Sequence, residues 1–318
     1  MSDRAATMTG GGPEGTATLL RRLELTVTRR LDGILHGDYQ GLLPGPGSEP
    51  GDARAYQPGD DVRSMDWNVT ARTGEAHVRT PIADRELETW VVADLSASLN
   101  FGTAHCEKRD VVVAAVAAVG HLTARVGNRL GAVILHAEAP VAVPARPGRD
   151  HLFALLHRIA ALPRVDGGGT DLSGALQSCG RIARRRGLVV VVSDFVGVSG
   201  WERPLRALCG RHDVIAVEVL DPRELELPDV GILRLLDLET GRHLEVQTGD
   251  RRLRTRYSEA ASRQRRETAS SVRAAGADHL VLRTDRDWLL DLAAFVERRR
   301  HRRGAVPAVT GRVVPASP

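Results

Sequence analysis

The sequence predicts an α/β protein built on a doubly wound, mostly parallel sheet, with a small β unit ahead of it. Three observations predict this. From about residue 86 onward, short apolar runs alternate with segments of helical periodicity. The apolar runs are continuous, as in strands buried on both faces by flanking helices. Before residue 86, Gly and Pro instead break the chain into short extended pieces.

In order along the chain, residues 1–17 are rich in Gly, Thr and Ala with no periodic pattern, and predict disorder. Leu19, Leu20, Leu23, Val27, Leu31, Ile34 and Leu35 then recur at helical spacing up to Gly37. This helix and the Gly/Pro-punctuated stretch after it make an N-terminal unit over 18–85. The main domain, over 86–303, opens with a strand at 89–93 and a long Ala/Val-rich helix at 107–126. A strand at 130–135, an edge strand at 140–143 and helices at 149–161 and 171–185 follow. Next come a strand at 188–192, a helix at 201–209 and a strand at 214–220. An irregular insertion occupies 222–250. A polar helix at 251–275, a strand at 279–282 and a helix at 287–299 close the domain, and a loose tail covers 304–318.

Composition narrows the function classes. The chain has 318 residues, 42% hydrophobic and 26% charged, ordinary values for a globular protein, but only 3% aromatic. Single-strand nucleic-acid binding needs stacking platforms, so this scarcity argues against it. The net charge of +4 is carried almost wholly by arginine, with Lys108 the single lysine. Arginine runs at 181–186, 251–256, 263–266 and 298–303 read as solvated helix faces. A phosphate or membrane-surface patch would require them to converge. Cys106, Cys179 and Cys209 are odd in number and lack metal-ligand spacing, which fits a reducing compartment. No run has the length of a membrane span or the form of a signal peptide, and the expected location is cytoplasmic.

In a doubly wound sheet, ligands bind outside the carboxyl ends of the strands. One strand end leads into Asp94-Leu95-Ser96-Ala97-Ser98, and another into Ser193-Asp194-Phe195. Between them in sequence lies the loop Gly167-Gly168-Gly169-Thr170-Asp171, which opens a helix. Asp94, Ser96, Ser98, Thr170 and Asp194 all offer hard oxygen, which suits Mg²⁺ or Mn²⁺. Alternate residues of an extended segment share a side, so Asp94, Ser96 and Ser98 can converge. Taken singly, each has a plainer reading as a helix cap or loop hydroxyl. Jointly, at strand ends of one sheet, they predict a cation site.

The Asp-x-Ser-x-Ser loop with a distant Thr and a third-loop Asp resembles the metal-ion-dependent adhesion site (MIDAS) of von Willebrand factor A domains. The resemblance implies that Ser96, Ser98 and Thr170 contact the ion, that Asp94 and Asp194 act through water, and that a partner's acidic residue completes the shell. A longer resemblance comes from Tyr56-Gln57-Pro58-Gly59-Asp60-Asp61-Val62-Arg63-Ser64-Met65-Asp66-Trp67-Asn68-Val69-Thr70-Ala71-Arg72. Phe101-Gly102-Thr103, Lys108, Ser193-Asp194-Phe195, Asp221-Pro222-Arg223-Glu224 and Asp237-Leu238-Glu239-Thr240-Gly241 add to it. Together they are similar to the bacterial "domain of unknown function fifty-eight" family. That resemblance implies a von Willebrand factor A-like fold and association with a MoxR-type AAA+ ATPase, as an adaptor or chaperone-like partner.

Within the signature, Asp60, Asp61, Arg63, Asp66 and Arg72 surround Trp67. Arginine–carboxylate pairs there would clamp the β unit to the sheet or form a partner surface, with Trp67 a packing anchor. The expected function is a non-enzymatic, divalent-metal-dependent protein-binding module. The alternative is a metal-dependent phosphohydrolase using the same acidic strand ends. A dehalogenase-type phosphatase would need a second Asp two residues after Asp94, where this chain has Ser96. No Gly-x-x-x-x-Gly-Lys-Ser/Thr loop is present.

Overall fold

A computed structural model describes residues 53–56, 65–79, 88–125, 128–136, 139–165, 167, 170–197, 199–236 and 242–304. The expected N-terminal disorder, the first helix and the C-terminal tail lie outside these residues.

The small β unit pairs β1 (Ala53–Ala55) with β2 (His77–Arg79) antiparallel, and α1 (Trp67–Thr73) lies between them in sequence. The main sheet contains β3 (Glu88–Asp94), β4 (Arg129–Leu135), β5 (Val141–Arg146), β6 (Leu188–Ser193), β7 (Asp213–Leu220) and β10 (Asp278–Arg283). Its spatial order is β10-β7-β6-β3-β4-β5, with every pair parallel except β4 with β5. The chain therefore starts in the middle, at β3, winds outward to β5, and returns to build β6, β7 and β10 on the other side. The switch point lies between β3 and β6, and their carboxyl ends open the crevice where such sheets bind ligands.

The sequence makes this sheet by supplying strands with no polar face. All six residues of β6 are buried, and six of seven in β3. Each buried Val or Leu contributes roughly 1.5–3 kcal/mol, so neither strand is stable unless helices cover both sides. Alternation divides the side chains between two helical layers. Val91, Ala93, Val190 and Val192 pack under α2 (Lys108–Arg125), α3 (Arg149–Ala161) and α7 (Trp288–Gly304). Trp90, Val92, Val189 and Val191 pack under α4 (Leu172–Ile182), α5 (Glu202–Cys209) and α6 (Arg251–Ala275). Gly131 on β4 makes room for the Trp90 indole, since a Cβ there would lie 2.6 Å from its ring. Strand β5 carries Pro144, which lacks a donor and is tolerated at an edge, and its pairing with β4 shifts register beside it.

The expected doubly wound, mostly parallel sheet is the one observed, with three local differences. Helix α4 ends at Ile182 rather than Arg185, because Ala183 leaves the helical conformation to turn the chain toward β6. The insertion is more regular than expected, pairing β8 (Ile232–Leu236) with β9 (His243–Gln247) as an antiparallel ribbon. Helix α7 runs past Arg299 to Gly304. Among the described residues no helix is long and apolar enough to cross a membrane.

Candidate functional site

Asp94 is the last residue of β3 and is wholly buried. Its Oδ1 accepts from the Ser96 backbone N–H at 3.0 Å, and its Oδ2 accepts from Ser193 Oγ at 2.7 Å. A short 3-10 turn follows at Ala97–Asn100. It buries Ala97 and Leu99 and leaves Ser96 Oγ and Ser98 Oγ 3.2 Å apart. Burial, and then the nearby charge of Asp194, push the Asp94 carboxyl up to about 6, against the pull of hydrogen bonds from Ser193 and Ser96.

Asp194 stands just beyond β6. Its Oδ1 accepts from Val196 N at 3.1 Å, and its Oδ2 accepts from Lys108 Nζ at 2.7 Å. Phe195 holds the turn with φ of 55°, the only non-glycine residue with positive φ among those described. That conformation costs roughly 1–2 kcal/mol for a residue with a Cβ. Burial of the ring against Trp201, with centroids 5.0 Å apart, offsets it. The sharp turn places Ser193 and Asp194 side by side at the crevice. Ser193 Oγ links the two strand ends, donating to Asp94 and accepting from Phe195 N at 3.1 Å.

The site extends to groups for which the sequence reading gave motif matches but no role. Lys108, the first residue of α2, is 1% exposed. Its ammonium lies between Asp194 and Glu224 Oε1, the latter at 2.5 Å. Burial alone would lower the Lys108 pKa, but the two carboxylates outweigh it and the net direction is upward. Glu224 closes a capping box after β7: its Oε2 accepts from Asp221 N at 2.9 Å. Asp221 is itself buried and accepts from Thr103 N, Thr103 Oγ1, Arg223 N and Thr284 Oγ1 at 2.6–2.9 Å. These bonds outweigh burial and hold its carboxyl below the usual range. Gly102 permits the loop that delivers Thr103, since a Cβ there would sit 2.4 Å from the Cys106 carbonyl oxygen. Four separate motifs thus meet in one network at the carboxyl ends of β3, β6 and β7.

The structure brings together Asp94, Ser96, Ser98 and Asp194 from the expected set. Thr170 is half-buried just before Asp171, which caps α4 by accepting from Gly174 N at 2.8 Å. Asn100 Nδ2 donates to Val165 O at 3.0 Å, tying Val165 to the Ser96–Asn100 turn. The signature segment is different. Asp60, Asp61 and Arg63 lie outside the described residues. Asp66 is buried as the N-cap of α1, accepting from Asn68 N and Val69 N. Arg72 is exposed in the last turn of that helix. Trp67 is 69% exposed, which corrects the expectation of a packing anchor. The three cysteine thiols are all pushed up by burial, to about 12 for Cys106 and Cys179 and about 11 for Cys209, so they stay protonated.

The donors fit a hard divalent ion. Two carboxylates, Asp94 and Asp194, lie within electrostatic reach of each other, and Lys108 bears on only one of them. Asp94, held up at about 6, has no cation among its hydrogen-bond partners. Ser96 and Ser98 add neutral oxygens beside it. Among the described residues no group of three His, Cys, Asp or Glu side chains is placed to hold a metal, so an ion here would depend on hydroxyl oxygens.

Residues 52–267 match the family described as "Protein of unknown function DUF58". Among similar proteins is Uncharacterized protein Rv1480 of Mycobacterium tuberculosis, 56% identical over 291 residues and covering 91% of each chain. Among solved structures, the conserved hypothetical protein BatB from Bacteroides thetaiotaomicron is 12% identical with a TM-score of 0.39, covering 68% of this chain and 99% of that one. A von Willebrand factor type A structure from Catenulispora acidiphila is 12% identical with a TM-score of 0.36, covering 71% of this chain and 43% of that one. The fold rests on the strand order and the two helical layers rather than on these structural likenesses. The family match spans more than half of the sequence, and with the M. tuberculosis relative it shows that this chain belongs to the DUF58 family.

Proposed function

We propose that this chain is a non-enzymatic protein-binding module whose hold on its partner depends on a divalent cation at the β3–β6 crevice. The observation that carries this reading is Asp94: buried, raised to about 6, and set beside two hydroxyls 3.2 Å apart with no cation of the chain bonded to it. Asp94, Ser96, Ser98 and Thr170, with Asp194, would hold Mg²⁺ or Mn²⁺. With the hydroxyls of Ser96, Ser98 and Thr170 touching the ion and both carboxylates acting through water, as the resemblance implies, the ion would keep its affinity for a carboxylate of the partner. From the family resemblance, the partner is a MoxR-type AAA+ ATPase or its client, met in the cytoplasm.

The phosphohydrolase alternative finds less support. Both Asp94 oxygens are engaged, by Ser96 N and Ser193 Oγ, and the residue two positions on is a serine. Neither fact suits a carboxylate nucleophile with a neighbouring acid. Calorimetric titration of Mg²⁺ into wild type and Asp94→Ala tests the reading. Binding to wild type alone is expected, and equal heats, or none from either, would overturn it. Capture of the cognate ATPase should be lost in EDTA; capture that ignores EDTA would remove the metal from the interaction.

A further inference from the structure

We infer that the space between Asp194 and Glu224 is a second cation position, which this chain fills with its own Lys108 ammonium. The two carboxylates come from different loops, one after β6 and one after β7. Each presents one oxygen to the same point, at 2.7 and 2.5 Å from Nζ. Those distances are near the roughly 2.3–2.6 Å at which Ca²⁺ takes oxygen. Each carboxylate is also fixed by a backbone N–H that does not involve the lysine. Val196 N bonds Asp194 Oδ1, and Asp221 N bonds Glu224 Oε2. Each carboxylate thus has one anchor that does not pass through the lysine.

The occupant is the sole lysine of a sequence whose other 43 Lys-plus-Arg residues are all arginine. An ammonium is a compact point charge, whereas a guanidinium is a planar fork, so the two cations are not interchangeable at this position. The Phe101 ring lies 5.9 Å from Nζ and covers it on another side. An internal cation of this kind holds the β6 and β7 loops together whether or not an external ion is present. Among the described residues it leaves the Asp94–Ser96–Ser98 position open to one.

The test counts ions. Lys108→Ala vacates the cradle and leaves both carboxylates facing the space. Equilibrium dialysis with Mn²⁺, and separately with Ca²⁺, should find one more ion per folded chain in Lys108→Ala than in wild type. The increment should vanish in Lys108→Ala/Glu224→Gln and in Lys108→Met, which refills the space without charge. Equal counts in wild type and Lys108→Ala overturn the inference. A variant unfolded in metal-free buffer that refolds with millimolar Mn²⁺ supports it, and one that stays unfolded overturns it. The count also separates this inference from the proposed metal-dependent function. No ion on wild type and one on Lys108→Ala leaves the inference standing without that function. One ion on each does the reverse.

Discussion

Two cations are buried to 1% exposure, and they sit at opposite ends of the same sheet. At the amino ends, Arg299 of α7 reaches between Asp213, the first residue of β7, and Asp278, the first of β10, at 2.5 and 2.6 Å. At the carboxyl ends, Lys108 of α2 reaches between Asp194 and Glu224. The two clusters share a plan, one cation held by two carboxylates, and differ in what lies beside them. The arginine cluster pins α7 across two strand starts. Next to the lysine cluster lies a further buried carboxylate, Asp94, whose charge raises the tension with Asp194. A buried ion pair by itself therefore does not mark a functional end of this sheet. What distinguishes the carboxyl end is the additional acid beside it.

The comparison can be broken most forcefully at the arginine end. Arg299→Met should destabilise the fold by about 3 kcal/mol, at the lower end for a broken buried pair because Asp213 and Asp278 keep some water. Urea unfolding measures this, and metal binding at the far end should be unchanged. A joint loss of both would show that the ends are not independent. Next comes the hub of the lysine end. Asp221→Asn keeps one acceptor oxygen but turns an amide toward Thr103 or Thr284, at a cost of about 2 kcal/mol. The same unfolding assay should read it.

Asp94→Asn should act in the opposite direction. Without metal it relieves a buried charge next to Asp194, and the midpoint should rise by about 1 kcal/mol in stability while the Mg²⁺ titration goes flat. A loss of stability instead would mean that the charged form is already compensated. The smallest effect is expected at His212, the residue before Asp213. Burial, helped by the Arg211 charge, holds this imidazole below its usual value. The unfolded chain then takes up the proton first, so the contribution is intact above about pH 6.5 and is lost as pH falls below it. His212→Gln should show a shallower decline in urea midpoint between pH 7.5 and 5.5.

Much of the sheet was legible because its strands are unbroken runs of Val, Leu and Ala, and helix α3 was expected over the residues it occupies, Arg149–Ala161. Helix ends were less legible, since the arginines after Ile182 are as compatible with a helix as with the bend that leads into β6. In the site, the positions of Asp94 and Asp194 followed from their place just after apolar runs. Ser193 did not stand out, because a serine at a strand end carries no signal for the hydroxyl that joins two strands. The role of Lys108 depends on Glu224, 116 residues away in sequence, and a lysine at a helix start carries no signal for its carboxylate partner. One signal was nevertheless present: a lone lysine in an arginine-rich chain. Trp67 was misread because an aromatic residue beside charges reads as an anchor, and its exposure shows otherwise.

The enclosure of Lys108 also has a practical consequence. This sequence carries a single ε-amine, and in the folded state it is sealed among carboxylates and an aromatic ring. Lysine-directed acylation, crosslinking or enzymatic tagging has no other side chain to use. The rate at which an amine-reactive label reaches residue 108, read on the peptide that carries it and so apart from the terminal amine, is therefore a site-specific clock for the parting of the β6 and β7 loops without any engineered probe.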